Sequence, residues 1–161
     1  MKRESATRAA LDVNEIIRET IALLQGDLQG ATLRVDLTSG LPRVNADRVQ
    51  LQQVLLNLTV NAMEAMRPVL HRPHVLSIQT KSHDGCAVLV AVQDTGVGLS
   101  SEEAEKLFET FYTTKSEGLG MGLSICRSII EGHGGRLWAE TNEGSGARFQ
   151  FTLPTERENG T

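Results

Sequence analysis

Residues 51–66 read LQQVLLNLTVNAMEAM. Leu51, Val54, Leu55, Leu58, Ala62 and Ala65 recur at helical spacing, which predicts a long helix with one buried face, capped by Asp47 and ending near Met66. The same helix carries Asn57 and Asn61, four residues apart and therefore one above the other on a single face. Asn is a poor helix-interior residue because its amide competes for the backbone. A buried amide left unpaired costs about 1–3 kcal/mol. Two amides in register on an apolar helix ask for partners beyond the helix.

Upstream, Asp12 followed by Glu15 has the spacing of a capping box and predicts a helix over 12–27, with Ile16, Ile17, Ile21, Leu23 and Leu24 on its apolar face and Gly26 and Gly30 closing it. TLRVDLT (32–38) alternates as a strand, and GLPRVNA (40–46) reads as a turn and a short strand. Pro68 and Pro73 bracket a loop. HVLSIQTKS (74–82) and CAVLVAVQD (86–94) are strands joined around Asp84-Gly85, a strong hairpin signal. SSEEAEKLFE (100–109) is a short helix behind a Ser cap, and residues 110–122 are loop-like and rich in glycine. GLSICRSIIEGHGG (122–135) is a helix stopped by Gly134 and Gly135. RLWAET and ARFQFTLP form a last strand pair across NEGSG (142–146). Helices and strands that partly segregate in this way predict a two-layer α/β sandwich with a mixed sheet.

At 161 residues the chain fits one domain with a real core. A formal net charge of −4 gives no electrostatic reason to expect nucleic acid. No apolar run approaches the roughly 18–20 residues of a membrane span. Cys86 and Cys126 lack metal-ligand spacing and read as two reduced core thiols of a cytosolic protein. Residues 1–10 are polar with Ala and read as a linker remnant from an upstream domain, 11–154 as the domain itself, and 155–161 as a charged tail.

Two glycine motifs join the Asn pair. DTGVG (94–98) ends an apolar strand, where a carboxylate and alternate glycines let the backbone turn sharply and a ligand come close. GLGMG (118–122) runs directly into a helix, whose free N–H groups and positive dipole end suit a polyphosphate. Each motif alone is weak. No Lys-Ser/Thr follows the second, and no strand leads directly into it, so it is neither a Walker A loop nor a dinucleotide-binding turn.

Taken in order, the motifs resemble those of the catalytic and ATP-binding domain of sensor histidine kinases, over about residues 11–154. LQQVLLNLTVNAMEAM is similar to the N box, DTGVG to the G1 box, LFETFYTTK to the F box and GLGMGLS to the G2 box. NAMEAM and FETFYTTK are closest in wording to the nitrogen-regulation and oxygen-sensing kinases. The family shares its Bergerat fold with gyrase, mismatch-repair ATPases and heat-shock chaperones. The resemblance implies a mostly antiparallel mixed sheet on about three helices, with a mobile ATP lid.

It further implies a set of roles. Asn61 supplies an oxygen to Mg²⁺, which keeps water and phosphate oxygens as its other ligands. Asp94 accepts a hydrogen bond from the adenine amine, and Gly96 and Gly98 let the backbone pass the base. Gly118, Leu119, Gly120, Met121, Gly122 and Leu123 bring backbone to the phosphates. Lys115 is a candidate phosphate contact from the lid, with a solvated lysine as the alternative. Phe108, Phe111 and Tyr112 read as hydrophobic latches for the lid and a partner helix, and Trp138 and His133 as packing or helix-end residues. Glu64 stands where some relatives carry a basic residue toward phosphate. Ala147 stands where relatives often have Thr, which removes a hydroxyl from the base pocket.

Asn57 occupies the position at which ATP-hydrolysing relatives keep a Glu general base, and an amide takes no proton at neutral pH. The implied chemistry is therefore transfer of the γ-phosphoryl group to a neutral histidine rather than to water. His71, His74, His83 and His133 all lack the family's phosphoacceptor setting. The acceptor thus belongs to dimerisation and phosphoacceptor helices of the parent kinase, and a response regulator follows downstream. The domain is expected to be cytoplasmic and to touch neither membrane nor nucleic acid. Competing readings are a nucleotide-gated interaction module and a serine kinase of the anti-sigma-factor type. The latter tends to keep an acid at the position of Asn57.

Overall fold

In the computed structural model, residues 7–108, 122–141 and 146–156 are described. The chain begins with β1 (Arg8–Leu11) and α1 (Val13–Leu23), followed by β2 (Thr32–Leu37), β3 (Val44–Asp47) and the long helix α2 (Arg48–Met66). The hairpin β4 (Val75–His83) and β5 (Ala87–Gln93) comes next, then α3 (Ser101–Lys106), α4 (Gly122–Gly132), β6 (Arg136–Thr141) and β7 (Ala147–Pro154). Five strands form a sheet in the order β2-β4-β5-β7-β6, with β2 parallel to β4 and every other pair antiparallel. A mixed, mostly antiparallel sheet under a layer of helices is the predicted two-layer sandwich.

The layers meet through the strand residues that face the helices. Val88, Val90 and Val92 of β5 pair with Leu153, Phe151 and Phe149 of β7, and all six are buried. Ile16 and Ile17 of α1, Leu51, Leu55 and Leu58 of α2, and Cys126 and Ile130 of α4 close the core from the other side. Each such aliphatic side chain contributes about 1.5–3 kcal/mol by leaving water. Helix α2 lies between α1 and α4.

Local chemistry sets the boundaries. Asp12 and Asp47 cap α1 and α2, accepting from the backbone N–H of Asn14 (3.0 Å) and Gln50 (3.1 Å). Ser100 and Glu103 form a complete capping box on α3. Asp84 (φ 56°) and Gly85 (φ 73°) both take the left-handed conformation that a tight hairpin needs. Helix α4 ends as expected at a glycine pair. Gly134 N–H donates to Glu131 O and Gly135 N–H to Ile130 O, the two reverse bonds of a Schellman cap.

The structure corrects two expectations, the end of the first helix and the burial of one thiol. Helix α1 stops at Leu23, not near 27, and Leu23 is 63% exposed while Leu24 and Leu28 turn inward. Burial of those two leucines outweighs the four further residues of helix that Gly26 was expected to end. Residues 8–11 form β1 in register with β3 from Arg8↔Asp47 to Leu11↔Val44. At the other end Thr155 bridges Val44. Finally, only Cys126 is a core thiol; Cys86 is exposed beside the hairpin turn, and both are free. No helix among the described residues is long and apolar enough to cross a membrane.

Candidate nucleotide site

Asp94 follows the last residue of β5 and is 1% exposed. Its Oδ1 accepts from Gly96 N–H (2.8 Å) and from Ala147 N–H (3.2 Å), while its own N–H donates to Ala147 O (3.0 Å). The first of these closes an Asx turn, so the carboxylate orients the glycine that follows it. Gly96 then passes against the end of α2: a Cβ there would fall inside the Ala65 carbonyl, to which Val97 N–H donates at 3.0 Å. Gly98 turns the chain with φ +82° beside Gly146. Both glycines of DTGVG are therefore required, one for close approach and one for conformation.

This turn, the C-terminal half of α2 and the start of β7 enclose a cavity of about 260 Å³. Asn61 and Glu64 line one wall, Asp94 and Gly98 another, and Ala147 and Phe149 the floor. The volume is near the lower end of the ~300–1,000 Å³ common for small-molecule sites, with polar groups converging on an otherwise apolar lining. Ala147 stands beside Asp94, its backbone N–H and C=O both bonded to that residue. Phe108 is buried edge-on against Phe149, centroids 6.2 Å apart, with the Arg127 guanidinium 5.6 Å over its ring. The ring thus joins the segment after α3 to β7 and α4.

The two asparagines of α2 do not share a destination. Asn61 lines the cavity, whereas Asn57 Nδ2 donates to Cys126 Sγ on α4 at 3.5 Å. Cys126 is wholly buried, and burial pushes its thiol up to about 11, with the Asn57 hydrogen bond acting weakly the other way. Gly122 and Leu123 open α4, with Leu123 packed on the core. Lys115, Gly118, Leu119, Gly120, Met121, Phe111 and Tyr112 lie outside the described residues.

His133 is a helix-end residue. Its Nε2 accepts from Asp47 N–H (3.1 Å) and its Nδ1 donates to Ile129 O (2.8 Å), which fixes the tautomer and ties α4 to the start of α2. Trp138 packs on the open face of the sheet, under the Arg136 guanidinium (4.7 Å) and donating to Glu140 (3.2 Å).

No group of three or more His, Cys, Asp or Glu that would cage a metal occurs among the described residues. The donor set that does line the cavity, an amide oxygen and carboxylates, is made of hard oxygens. It fits a Mg²⁺ carried largely by water and phosphate.

A buried acid with alternate glycines at a strand end, facing an Asn helix across a cavity, defines a class of nucleotide-binding α/β sandwich. The chain belongs to the histidine kinase-, DNA gyrase B- and HSP90-like ATPase family, whose model matches residues 46–157. Within it, the similarity runs to sensor kinases. Over 131 residues the chain is 50% identical to the sensor protein FixL of Bradyrhizobium diazoefficiens, covering 81% of this chain and 26% of that protein. It spans about a quarter of the length of such curated relatives. Among solved structures, the catalytic domain of the histidine kinase ThkA matches with a TM-score of 0.82 and 35% identity, covering 93% of this chain and 97% of that one. ThkA is also solved in complex with the response regulator TrrA (TM-score 0.78, 34% identity, 92% and 42% covered). Full-length ShkA in complex with AMPPNP matches with a TM-score of 0.81 and 26% identity, covering 95% of this chain and 32% of that one.

Proposed function

We propose that this chain binds Mg²⁺·ATP and presents the γ-phosphoryl group to a histidine on separate dimerisation and phosphoacceptor helices of a cytoplasmic two-component kinase. The observation that carries this reading is Asp94: a carboxylate buried in the cavity wall and aimed by two backbone N–H groups. The nucleotide bound by ShkA and the response regulator bound by ThkA support the ligand and the downstream partner.

Asp94 accepts from the exocyclic amine of adenine; guanine places a carbonyl there and leaves the acid facing an acceptor. Gly96 and Gly98 keep the wall low enough for the base to enter. Asn61 holds the Mg²⁺ through its amide oxygen, and the ion, when bound, offsets the charge of the phosphates. The backbone of 118–123 and Lys115 are the proposed phosphate contacts. Asn57 takes no proton, and its amide already engages Cys126. The chain's own residues thus position ATP without activating water, and transfer rests on orientation and charge stabilisation.

The test is phosphorylation in trans. Labelled Mg²⁺·ATP, this chain and a supplied phosphoacceptor domain should give an acid-labile phosphohistidine on the acceptor, and none on the chain incubated alone. Asn61→Ala should lower the yield by roughly tenfold or more, about the loss expected of one charge-assisted contact. ATP binding without any transfer would instead favour a nucleotide-gated interaction module.

A further inference from the structure

We infer that Arg72, in the loop between α2 and β4, is a positioning residue for adenine recognition: it sets the aim of Asp94 by gripping the turn that follows it. This inference rests on the adenine-binding role proposed for Asp94. The guanidinium approaches that turn edge-on. Nε donates to Thr95 O at 3.2 Å and Nη2 to Gly96 O at 2.8 Å, while Nη1 meets His71 Nε2 at 2.9 Å. Nε–H and Nη2–H are the parallel pair of the arginine fork, so one planar group spans two consecutive carbonyls.

The consequence shows when the two peptide groups are followed across their width. In the first, Thr95 O accepts from Arg72 and Gly96 N–H donates to Asp94 Oδ1. In the second, Gly96 O accepts from Arg72 and Val97 N–H donates to Ala65 O. Each peptide plane is therefore bonded at both ends, by Arg72 on the outside and by the site on the inside. A cation on a carbonyl polarises the amide and strengthens the bond its N–H makes. Arg72 thereby tightens both the Asx bond that orients the carboxylate and the bond that seats the turn on α2. The same loop holds the Thr95 side chain, whose Oγ1 accepts from Val75 N–H (3.0 Å) and donates toward Pro73 O (3.0 Å). Arg72 is only half-buried and touches no residue of the core cluster through these bonds, so its effect concentrates on the turn. A lysine would supply the charge but reach one carbonyl at a time.

The measurement is the affinity of the chain for ADP and for inosine diphosphate, whose base has a carbonyl in place of the amine. The wild-type chain should prefer ADP strongly. Arg72→Ala should bind ADP about tenfold more weakly, roughly the worth of a charged hydrogen-bond pair, while its affinity for inosine diphosphate changes less than about threefold. Its ADP preference should shrink accordingly, with Arg72→Lys between the two and all three proteins melting cooperatively. A residue that merely supports the fold would weaken both ligands alike. Equal losses for the two nucleotides, or an unchanged ADP affinity, overturns the inference. If Arg72→Ala does not fold, the same comparison is made on Arg72→Lys, and a lysine variant indistinguishable from wild type overturns it equally. A wild-type chain that fails to prefer ADP removes the adenine reading itself, which is visible before any variant is made.

Discussion

Helices α2 and α4 run side by side, and their two ends are built on opposite plans. At the start of α2 and the finish of α4, polar groups terminate on the protein. His133 uses both ring nitrogens, Arg8 Nη2 donates to Gly132 O at 2.8 Å, and Gly134 and Gly135 close the last carbonyls. At the other end Asn61, Glu64 and Asp94 stand around a cavity. The first arrangement fixes the helix pair and the entering strand β1 in one place. The second sets polar side chains along open space, where a ligand can reach them. Burial of a polar residue says little by itself, since Asp94 too is anchored by backbone N–H groups; what separates site from scaffold is that its side chain also borders open space.

If that contrast is right, substitutions at the two ends should fail in different measurements. The largest effect is expected at the closed end. A Cβ on Gly135 would overlap the Thr152 carbonyl of β7, so one of the two backbones must shift. Gly135→Ala should lose about 3 kcal/mol in urea unfolding, while the fraction still folded binds ADP normally. Nucleotide affinity falling with stability unchanged would reverse the assignment of the ends. Asp94→Asn should do the converse. Its Oδ1 can still accept from Gly96 and Ala147 N–H, so the melting temperature should stay within a few degrees of wild type. An amide N–H facing the adenine amine should weaken ADP about a hundredfold, or ~2.7 kcal/mol. Calorimetric titration decides it, and an unaltered ADP isotherm would remove Asp94 from base recognition.

The contrast also separates what a reader of the sequence can see from what is hidden. Helix α2, its Asp47 cap, the hairpin at Asp84-Gly85 and the glycine stop of α4 are local effects, written within a few residues of where they act. DTGVG is legible for the same reason, since an Asx turn and a positive φ need only adjacent residues. Strand β1 is hidden because Arg8, Ala9, Ala10 and Leu11 show no alternation, and backbone pairing to β3 holds them. Arg72 is hidden because its acceptors lie 23 and 24 residues away, with nothing local to betray them. Asn57 illustrates the limit of helical spacing. Four residues keep it on the face of Asn61, yet displace it by about 6 Å along the axis, enough for one to meet α4 and the other the cavity.

Cys126, between the two ends, supplies the smallest test and one with a fixed sign. Its thiol is raised from 9.0 to about 11 by burial, so the folded chain keeps the proton over a range in which the unfolded chain releases it. The stability this contributes is whole below pH 9 and is lost as pH rises toward 11. By pH 10 the loss should reach about 1.4 kcal/mol, the worth of one unit of displacement. Other groups titrate in the same range, so the quantity to follow is the stability difference between wild type and Cys126→Ala, measured in urea at pH 8 and pH 10. That difference should narrow by about the same amount, because alanine has no proton to lose. A constant difference would mean that the thiol is open to water in the folded state. The contact between Asn57 and Cys126 would then belong to the site end of the helix pair rather than to its scaffold.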